Sequence, residues 1–548
     1  MKKKLVCLLL SAVLAVGTLA GCGGGSGEET GSEGGGSEAG TEESAGAVSD
    51  GESTTTAVGT YTADDPYHLV FSFVEFYEQD ENARAAVQDA LNAYTIPEYH
   101  IEVEFLPLSF ADYQTTTQLM LSGGDKLDVF PISFAYAASW INMGGVYDMS
   151  PLMDTEDGKK IVEALGEANA NVGNMNGVLY GFPANKESIE LGGLCMRADI
   201  CDELGLTEKY GLDAENSDEY TGKSLRWDEA EEIFAAVKEA YPSMTPMYLS
   251  NSDQLSRFCF FDPLVDSLGG LDLEADRDSL QVVNLFETDT YKEVVTMLAD
   301  WYDKGYIYQD AATDTQGTAT MMKAGNTFSY ATAIKPGFLA EAESANGCDC
   351  YVLYLNSSDD GGIATHNVSF FNTGISSNSD DPEMAFKFIA ALYSDANVMN
   401  LWQYGIEGTN YQILEDGTIY YVDGENDGNF AYHQNSGWCM GNQFNSYVWN
   451  DGNRDGDYWN KLQKHNDWAF YSPAFGFMWD SSEYATQVTA LTNAYETYRA
   501  ALHTGSVGSA NVESTIQALN DALYAAGLQD VIDAKQAQLD AWAASQGE

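Results

Sequence analysis

Basic residues are scarce in this chain. Of its 548 residues only 25 are Lys or Arg, against 84 Asp or Glu, and the formal net charge at pH 7 is −59. A surface with this charge repels phosphate backbones and anionic lipid headgroups. The composition therefore excludes nucleic-acid binding and any membrane contact driven by charge, and it disfavours an anionic ligand.

Cysteine and histidine are also scarce, with eight and six residues. The six cysteines beyond residue 22 form no Cys-x-x-Cys pair and have no histidine at zinc-binding spacing, which argues against a zinc site. They are too few for a disulfide framework in so long a chain, so most are expected to be buried apolar side chains. The chain also lacks the Gly-x-Ser-x-Gly and His-Glu-x-x-His motifs of two hydrolase classes, and no cofactor is expected.

The one long apolar run lies at the start of the chain. Three lysines precede the run from Leu5 to Ala20, which is shorter than the roughly 20 residues of a membrane-spanning helix. This order predicts a signal peptide over residues 1–21. Leu19-Ala20-Gly21-Cys22 resembles a bacterial lipobox, which implies lipidation of Cys22 and a place on the extracellular face of the cytoplasmic membrane. Residues 23–60 have no aromatic residue, Lys or Arg, so residues 22–63 are predicted to be a disordered acidic tether.

Strand and helix patterns alternate at the start of the body. Because about 490 residues follow the tether, the chain needs two or more lobes. Residues 68–74, 100–105 and 127–132 read as strands, and 83–94 and 113–121 as helices. This order predicts an open parallel α/β sheet, in which ligands bind beyond the carboxyl ends of the strands. Those ends carry aromatic and hydroxyl side chains, namely Phe76, Tyr77, Ser133 and Tyr136.

Later segments predict crossings and a helical end. Residues 176–187 and 350–355 read as extended segments that connect two lobes. Asp381 followed by Pro382 is a strong helix start. The chain closes with three predicted helices over 484–502, 512–526 and 530–542.

These segments, in this order, resemble those of extracellular solute-binding proteins of the ABC-importer family 1 type, in a branch with an extended C-terminal part. The resemblance implies an α/β, two-lobed periplasmic-binding-protein-like fold with hinge crossings and a helical C-terminal segment. Lobe 1 would comprise residues 65–182 and 349–400, and lobe 2 residues 186–345 and 401–548. A monomer without catalytic residues would capture an oligosaccharide between the lobes. It would deliver that solute to ABC permease subunits in the same membrane, which the chain itself would contact only through its lipid anchor.

The aromatic content supports a sugar ligand independently. Phe, Trp and Tyr make up 12% of the chain, and sugar sites combine flat aromatic rings with carboxylate and amide acceptors. Three alternatives remain: a lipid-anchored glycoside hydrolase, a binding protein for a peptide or another non-sugar solute, and an adhesin or sensor ectodomain.

The predicted cleft residues come from strand ends, crossings and the C-terminal part. Ser133 and Tyr136 come from lobe 1, and Asn185 and Glu187 from the first crossing. Asn251 and Tyr330 come from lobe 2, and Glu407 and Trp438 from the C-terminal part. Tyr330 and Trp438 are expected to stack on sugar faces, while the carboxylates and amides accept hydroxyl hydrogens.

One acidic segment partly matches a calcium loop. Asp451, Asn453, Asp455 and Asp457 place oxygen ligands at alternate positions, but the twelfth position is Leu462 rather than Glu. A polar surface turn is therefore the favoured interpretation, and no metal is expected.

Overall fold

A computed structural model describes most of the chain beyond the predicted tether. The described residues are 60–189, 191–212, 218–252, 255–356, 361–363, 370–426, 428–434, 436–450 and 454–546. The predicted signal peptide, Cys22, and the calcium-loop candidates Asp451 and Asn453 lie outside them.

The described residues form seventeen strands, numbered in chain order. They are β1 (Tyr67–Glu75), β2 (Ile101–Ser109), β3 (Val129–Ser133), β4 (Gly173–Met175), β5 (Val178–Pro183), β6 (Leu191–Arg197), β7 (Leu225–Arg226), β8 (Thr245–Tyr248), β9 (Phe261–Asp262), β10 (Leu271–Asp272), β11 (Thr327–Ile334), β12 (Cys350–Asn356), β13 (Gly361–Ile363), β14 (Phe371–Ile375), β15 (Tyr411–Ile413), β16 (Ile419–Tyr421) and β17 (Ala469–Tyr471).

The described residues also form seventeen α-helices. They are α1 (Glu81–Tyr99), α2 (Tyr113–Gly123), α3 (Phe134–Asn142), α4 (Glu156–Leu165), α5 (Glu167–Ala170), α6 (Ala198–Glu203), α7 (Leu206–Tyr210), α8 (Glu231–Ala240), α9 (Asp289–Asp303), α10 (Thr318–Lys323), α11 (Phe338–Asn346), α12 (Pro382–Ser394), α13 (Ala396–Tyr404), α14 (Tyr458–Asn466), α15 (Ala485–His503), α16 (Val512–Ala525) and α17 (Leu528–Gln546). Short 3₁₀ helices lie at Ser150–Leu152, Trp227–Ala230, Leu255–Arg257, Leu285–Glu287, Ala311–Thr313, Gln443–Asn445 and Ser482–Tyr484.

The first lobe contains a six-stranded sheet in the order β2-β1-β3-β14-β5-β4. β1 is parallel to both β2 and β3, as the alternating strand and helix pattern predicts. β14 enters from much later in the chain and is antiparallel to both β3 and β5. The carboxyl ends of β1, β2 and β3 therefore lie at one edge of the sheet.

A buried carboxylate joins the start of this sheet to the returning chain. Asp128 accepts hydrogen bonds from the Tyr67 hydroxyl (2.5 Å), the Val70 amide (2.7 Å) and the Ser379 hydroxyl (2.5 Å). Three donors offset the cost of burying the charge. Helix α12 begins just after, with the Asp381 side chain accepting from the Met384 amide, so the predicted Asp381–Pro382 helix start is confirmed.

The second lobe contains a five-stranded mixed sheet in the order β7-β12-β6-β11-β8. β6 is antiparallel to its neighbours β11 and β12, whereas β8 is parallel to β11. Buried side chains from this sheet pack against α8 and α9, with Phe234 and Trp301 in edge contact at 5.1 Å.

A helical unit follows the second lobe. Helices α15, α16 and α17 agree with the three predicted C-terminal helices to within a few residues, and they pack on α9 through residues such as Tyr291, Leu491 and Leu519. Gly505 has a φ of 71°, and a Cβ there would lie 2.1 Å from the Leu298 carbonyl oxygen. Only glycine lets the turn after α15 approach α9 so closely.

The division of the C-terminal part differs from the predicted boundary at residue 401. Trp402, Tyr432 and Met440 are buried in the core of the first lobe, where Trp402 packs on Phe71 at 5.4 Å. Trp402, Tyr432 and Met440 therefore add to the first core, while Tyr404, Tyr411, Ile419, Tyr421 and Trp449 form a small cluster of their own. Arg454, just before α14, pairs with Glu341 of the second lobe, whereas Met478 is buried in the first core, so the chain after Asn450 contacts both lobes.

Most of the cysteines are buried as thiols, and the helices are too short or too polar to cross a membrane, in the described residues. None of the six cysteines of the described chain forms a disulfide, and all except the half-buried Cys348 are buried. No helix in the described ranges is long and apolar enough to cross a membrane.

Candidate solute-binding site

In the described part of the chain, passages between the lobes follow β5, β12 and Asn450. The passage after β5, the first, is joined to its surroundings by hydrogen bonds. The Asn185 amide nitrogen donates to the Gly441 carbonyl (2.8 Å), and the Ser188 amide donates to the Asn466 side chain (3.0 Å). Crossings held together in this way are the elements about which two lobes can rotate.

A continuous row of aromatic rings lies at the strand-end edge of the first sheet. We call it the aromatic row. Phe110 stacks on Phe76 with ring centroids 5.9 Å apart, and Phe76 lies 5.1 Å from Trp438. The row continues from Trp438 through Phe371 and Phe370 to Phe134, with neighbouring centroids 4.9 to 6.4 Å apart. Phe110 is 39% exposed, while Phe371 forms the buried base.

Strand ends and side-chain amides hold this row in place. Phe76 follows β1, Phe110 follows β2 and Phe134 follows β3. Trp438 comes from a distant segment, which is fixed by Gln403: its Oε1 accepts from the backbone amides of Ser436 (2.8 Å) and Gly437 (2.9 Å). Fixed rings lose little conformational entropy when a ligand stacks on them.

The structure places two predicted residues beside the row. Ser133 pairs with Phe371 across the sheet, but its hydroxyl accepts from the Ala135 amide (3.4 Å) as the N-cap of α3 and is buried. Tyr136 is half-buried with its ring 5.5 Å from Trp140. Burial raises the pKa of the Tyr136 hydroxyl, so it stays protonated at neutral pH and can donate a hydrogen bond.

Asn185 and Glu187 lie on the first crossing, as predicted, and both have structural partners. The Asn185 side chain donates to the Ala164 carbonyl (2.8 Å). Glu187 accepts from Lys335 of the second lobe (2.8 Å), and Lys186 lies 3.8 Å away. Burial raises the pKa of the Glu187 carboxyl, but the two ammonium charges more than offset this and hold the pKa well below its usual range. Glu187 therefore carries a negative charge that anchors the crossing to the second lobe.

The remaining predicted residues do not join the aromatic row. Tyr330 is only 7% exposed and packs within the second lobe, where its hydroxyl accepts from Asn346 (3.3 Å). This corrects the expected stacking role of Tyr330: its strand is central and covered on both faces. Asn251 follows β8, with its carbonyl bound to Arg499 (2.6 Å), and Glu407 is exposed in the turn before β15.

The sequence missed Phe110 and Phe370. The predicted strand ends at Phe105, whereas β2 runs on through Pro107 to Ser109. Proline is tolerated there because β2 is an edge strand of the sheet. The rule that strand ends carry ligand contacts, applied to the true end of β2, would have found Phe110.

In the described half of the calcium-loop candidate, the two carboxylates interact with neighbouring side chains. Asp455 pairs with Lys461 (3.2 Å), and Asp457 accepts from the Asn460 side chain (2.6 Å). No group of three or more potential His, Cys, Asp or Glu metal ligands occurs among the residues that the structure describes.

Comparison with known families identifies the class of protein. The description "Bacterial extracellular solute-binding protein" matches residues 85–419, more than half of the chain. The chain belongs to this family. A second description, a domain of unknown function, matches residues 473–544, which comprise the helices after the second lobe of this solute-binding protein. Family membership places the protein outside the cytoplasm.

Individual relatives agree with the family. The solute-binding protein is 24% identical over 480 residues to a "Carbohydrate ABC transporter substrate-binding protein" of Streptococcus pneumoniae, covering 84% of this chain and 86% of that protein. The crystal structure of the N-glycan transport solute-binding protein NgtS from S. pneumoniae has a TM-score of 0.68 at 20% identity, covering 87% of this chain and all of that one. An extracellular solute-binding protein from Bifidobacterium longum subsp. infantis has a TM-score of 0.60 at 15% identity, covering 88% and 99%. The two-lobed α/β fold with a helical C-terminal region is thereby confirmed.

Proposed function

We propose that this solute-binding protein captures an oligosaccharide between its lobes, as a monomer, and delivers it to an ABC permease. The observation that carries the proposal is the aromatic row, whose ring-to-ring contacts run unbroken from Phe110 to Phe134. Several adjoining rings suit a ligand of several sugar units, because each sugar presents an apolar C–H face.

The names of relatives support the same ligand class. The streptococcal relative is named for carbohydrate transport, and structures of NgtS contain Man1GlcNAc and Man5GlcNAc. The acidic surface, with a net charge of −59, favours a neutral ligand over an anionic one.

Binding without chemistry distinguishes this function from a hydrolase. The proteins it matches are named as binding proteins, and we propose no catalytic residue. Calorimetric titration of the soluble body with Man5GlcNAc and with kestose, a fructan bound by a structural neighbour, should give one-to-one binding of at least one glycan. The glycan should be recovered intact. Cleaved products would favour the hydrolase, and binding of peptides alone would favour another solute.

We also propose that Cys22 carries a lipid anchor at the extracellular face of the membrane. The support is the order of basic residues, apolar run and Leu19-Ala20-Gly21-Cys22. Membrane fractionation of cells that express the Cys22→Ala chain tests this, since the variant should be lost from the membrane fraction.

A further inference from the structure

Trp468 is an exposed indole that packing holds in one orientation. It lies between α14 and β17 and is 40% exposed. Tyr220 meets its ring edge-on, with centroids 5.1 Å apart. Gly222 has a φ of 78°, and a Cβ there would lie 2.7 Å from the far edge of the indole. The backbone at Gly222 thus approaches the ring closely, while the rest of the indole remains open to solvent.

The segment that carries Trp468 is joined to two crossings and to both lobes. Asn466 binds the first crossing through the Ser188 amide (3.0 Å) and the Lys186 carbonyl (3.1 Å). β17 pairs in parallel with β13 on the second passage between the lobes. Beyond β17, Phe475 packs against Val172 of the first lobe. Trp468 therefore lies where the two lobes meet, beside the first and second crossings.

The surroundings of this indole suit a neutral ligand. Its ring neighbour Tyr220 packs in turn on Tyr354 at 4.9 Å, and Gly222 contributes only backbone. A large apolar ring that is rigidly supported, partly open and next to a hinge offers stacking area at little entropic cost. In a chain this acidic, such a surface favours an uncharged partner with a flat apolar face.

We propose that Trp468 is a second stacking platform, which binds one sugar ring of the oligosaccharide from the crossing side of the cleft. The inference rests on the proposed function, which it extends from the first lobe to the junction of the lobes. Because the platform is tied to two crossings, a ligand that contacts both Trp468 and the aromatic row bridges the parts that move on closure.

The test compares four variants of the soluble body by calorimetric titration with Man5GlcNAc and with kestose. Trp468→Ala should weaken binding by about 10–100-fold, the range expected when a stacked anchor is truncated. Trp468→Phe should lose less, because a smaller ring remains. Tyr524→Ala is the matched control: Tyr524 is 39% exposed on α16 and bonds Glu287, away from the crossings, so it should bind as wild type. The unliganded Trp468→Ala protein should melt within about 2–3 °C of wild type, since the side chain is well exposed.

A fourth variant separates failure of this inference from failure of the proposed function. Phe76→Ala removes a ring of the aromatic row and should also weaken binding. If Phe76→Ala weakens binding and Trp468→Ala binds as wild type, the platform is overturned and the proposed function stands. If neither glycan binds the wild-type chain, both fall. If Trp468→Ala and Tyr524→Ala weaken binding equally, the effect is not specific to Trp468 and the platform is again overturned.

Discussion

At the residue scale, the site depends on side chains that are far apart in sequence. Trp438 reaches the aromatic row because Gln403, on α13, binds the backbone beside it. Gln434 adds a bond from its side-chain amide to the Val74 carbonyl at the end of β1 (3.1 Å). Gln434 and Val74 are 360 residues apart, so the sequence indicated Trp438 only as one of several aromatics in a polar segment.

Strand position explains why the two aromatics predicted to stack on sugars lie in different surroundings. Trp438 is half-buried at the strand-end edge, whereas Tyr330 lies within β11, between β6 and β8. A residue in a central strand covered by helices is buried whichever face it occupies. Alternation along the strand therefore could not reveal that Tyr330 points into the core.

The pair Tyr330→Ala and Trp438→Ala tests this distinction. Tyr330→Ala should lower the free energy of unfolding by about 3–5 kcal/mol, as for other large buried rings, and leave glycan affinity per folded molecule unchanged. Trp438→Ala should weaken glycan binding by about 1–3 kcal/mol, with a smaller loss of stability. Urea unfolding and calorimetric titration measure the two quantities. A Tyr330→Ala protein that folds with normal stability but no longer binds would return Tyr330 to the cleft.

At the element scale, local signals predicted most helices and strands but not how distant strands pair. The helix start at Asp381 and the apolar periodicity of α15 to α17 are local signals, because each depends on residues that are close together in sequence. β14 lies between β3 and β5 in the sheet, although both of those strands come about two hundred residues or more earlier in the chain. No local pattern specifies such a pairing, which is selected by burial in the finished sheet.

The ion pair between Glu187 and Lys335 is an element-scale contact, because it fastens the first crossing to the end of β11. Its two ammonium neighbours lower the pKa of Glu187 from the ordinary value of 4.5. A carboxyl whose pKa is lower in the folded state adds stability that is fully present above pH 4.5. That stability is lost as the pH falls from 4.5 toward the lowered value.

Glu187→Gln should therefore destabilise the protein at pH 7 and much less in acid. We expect a loss of about 1–2 kcal/mol at neutral pH, since Lys335 keeps a charge in a half-buried place but water still screens it. The difference in melting temperature from wild type should shrink as the pH falls below 4.5. Glu156→Gln is the control: it breaks the exposed pair with Lys159 on α4 and should leave the melting temperature unchanged at every pH. A pH-independent gap for Glu187→Gln would contradict the lowered pKa.

At the scale of the whole molecule, the order of the elements was the reliable guide. The order of motifs indicated a two-lobed solute-binding protein, which family membership confirms. The sequence did not show how the C-terminal part is divided, with Trp402, Tyr432 and Met478 in the first core and Arg454 paired with the second lobe. The lobe that each part of the C-terminal segment joins depends on the apolar surface that it covers in the folded protein, which no local pattern specifies.

The passages between the two lobes predict a hinge that closes on ligand. If one glycan contacts both the aromatic row and Trp468, as we propose, it is bound more tightly when the lobes approach. A ligand shifts the population toward the conformation it binds better. Small-angle scattering of the soluble body should therefore give a smaller radius of gyration with saturating glycan than without it. At the same glycan concentration, Trp438→Ala should remain closer to the unliganded radius because its affinity is lower. An unchanged radius for a wild-type sample that calorimetry shows to be saturated would mean that the lobes bind the sugar without closing.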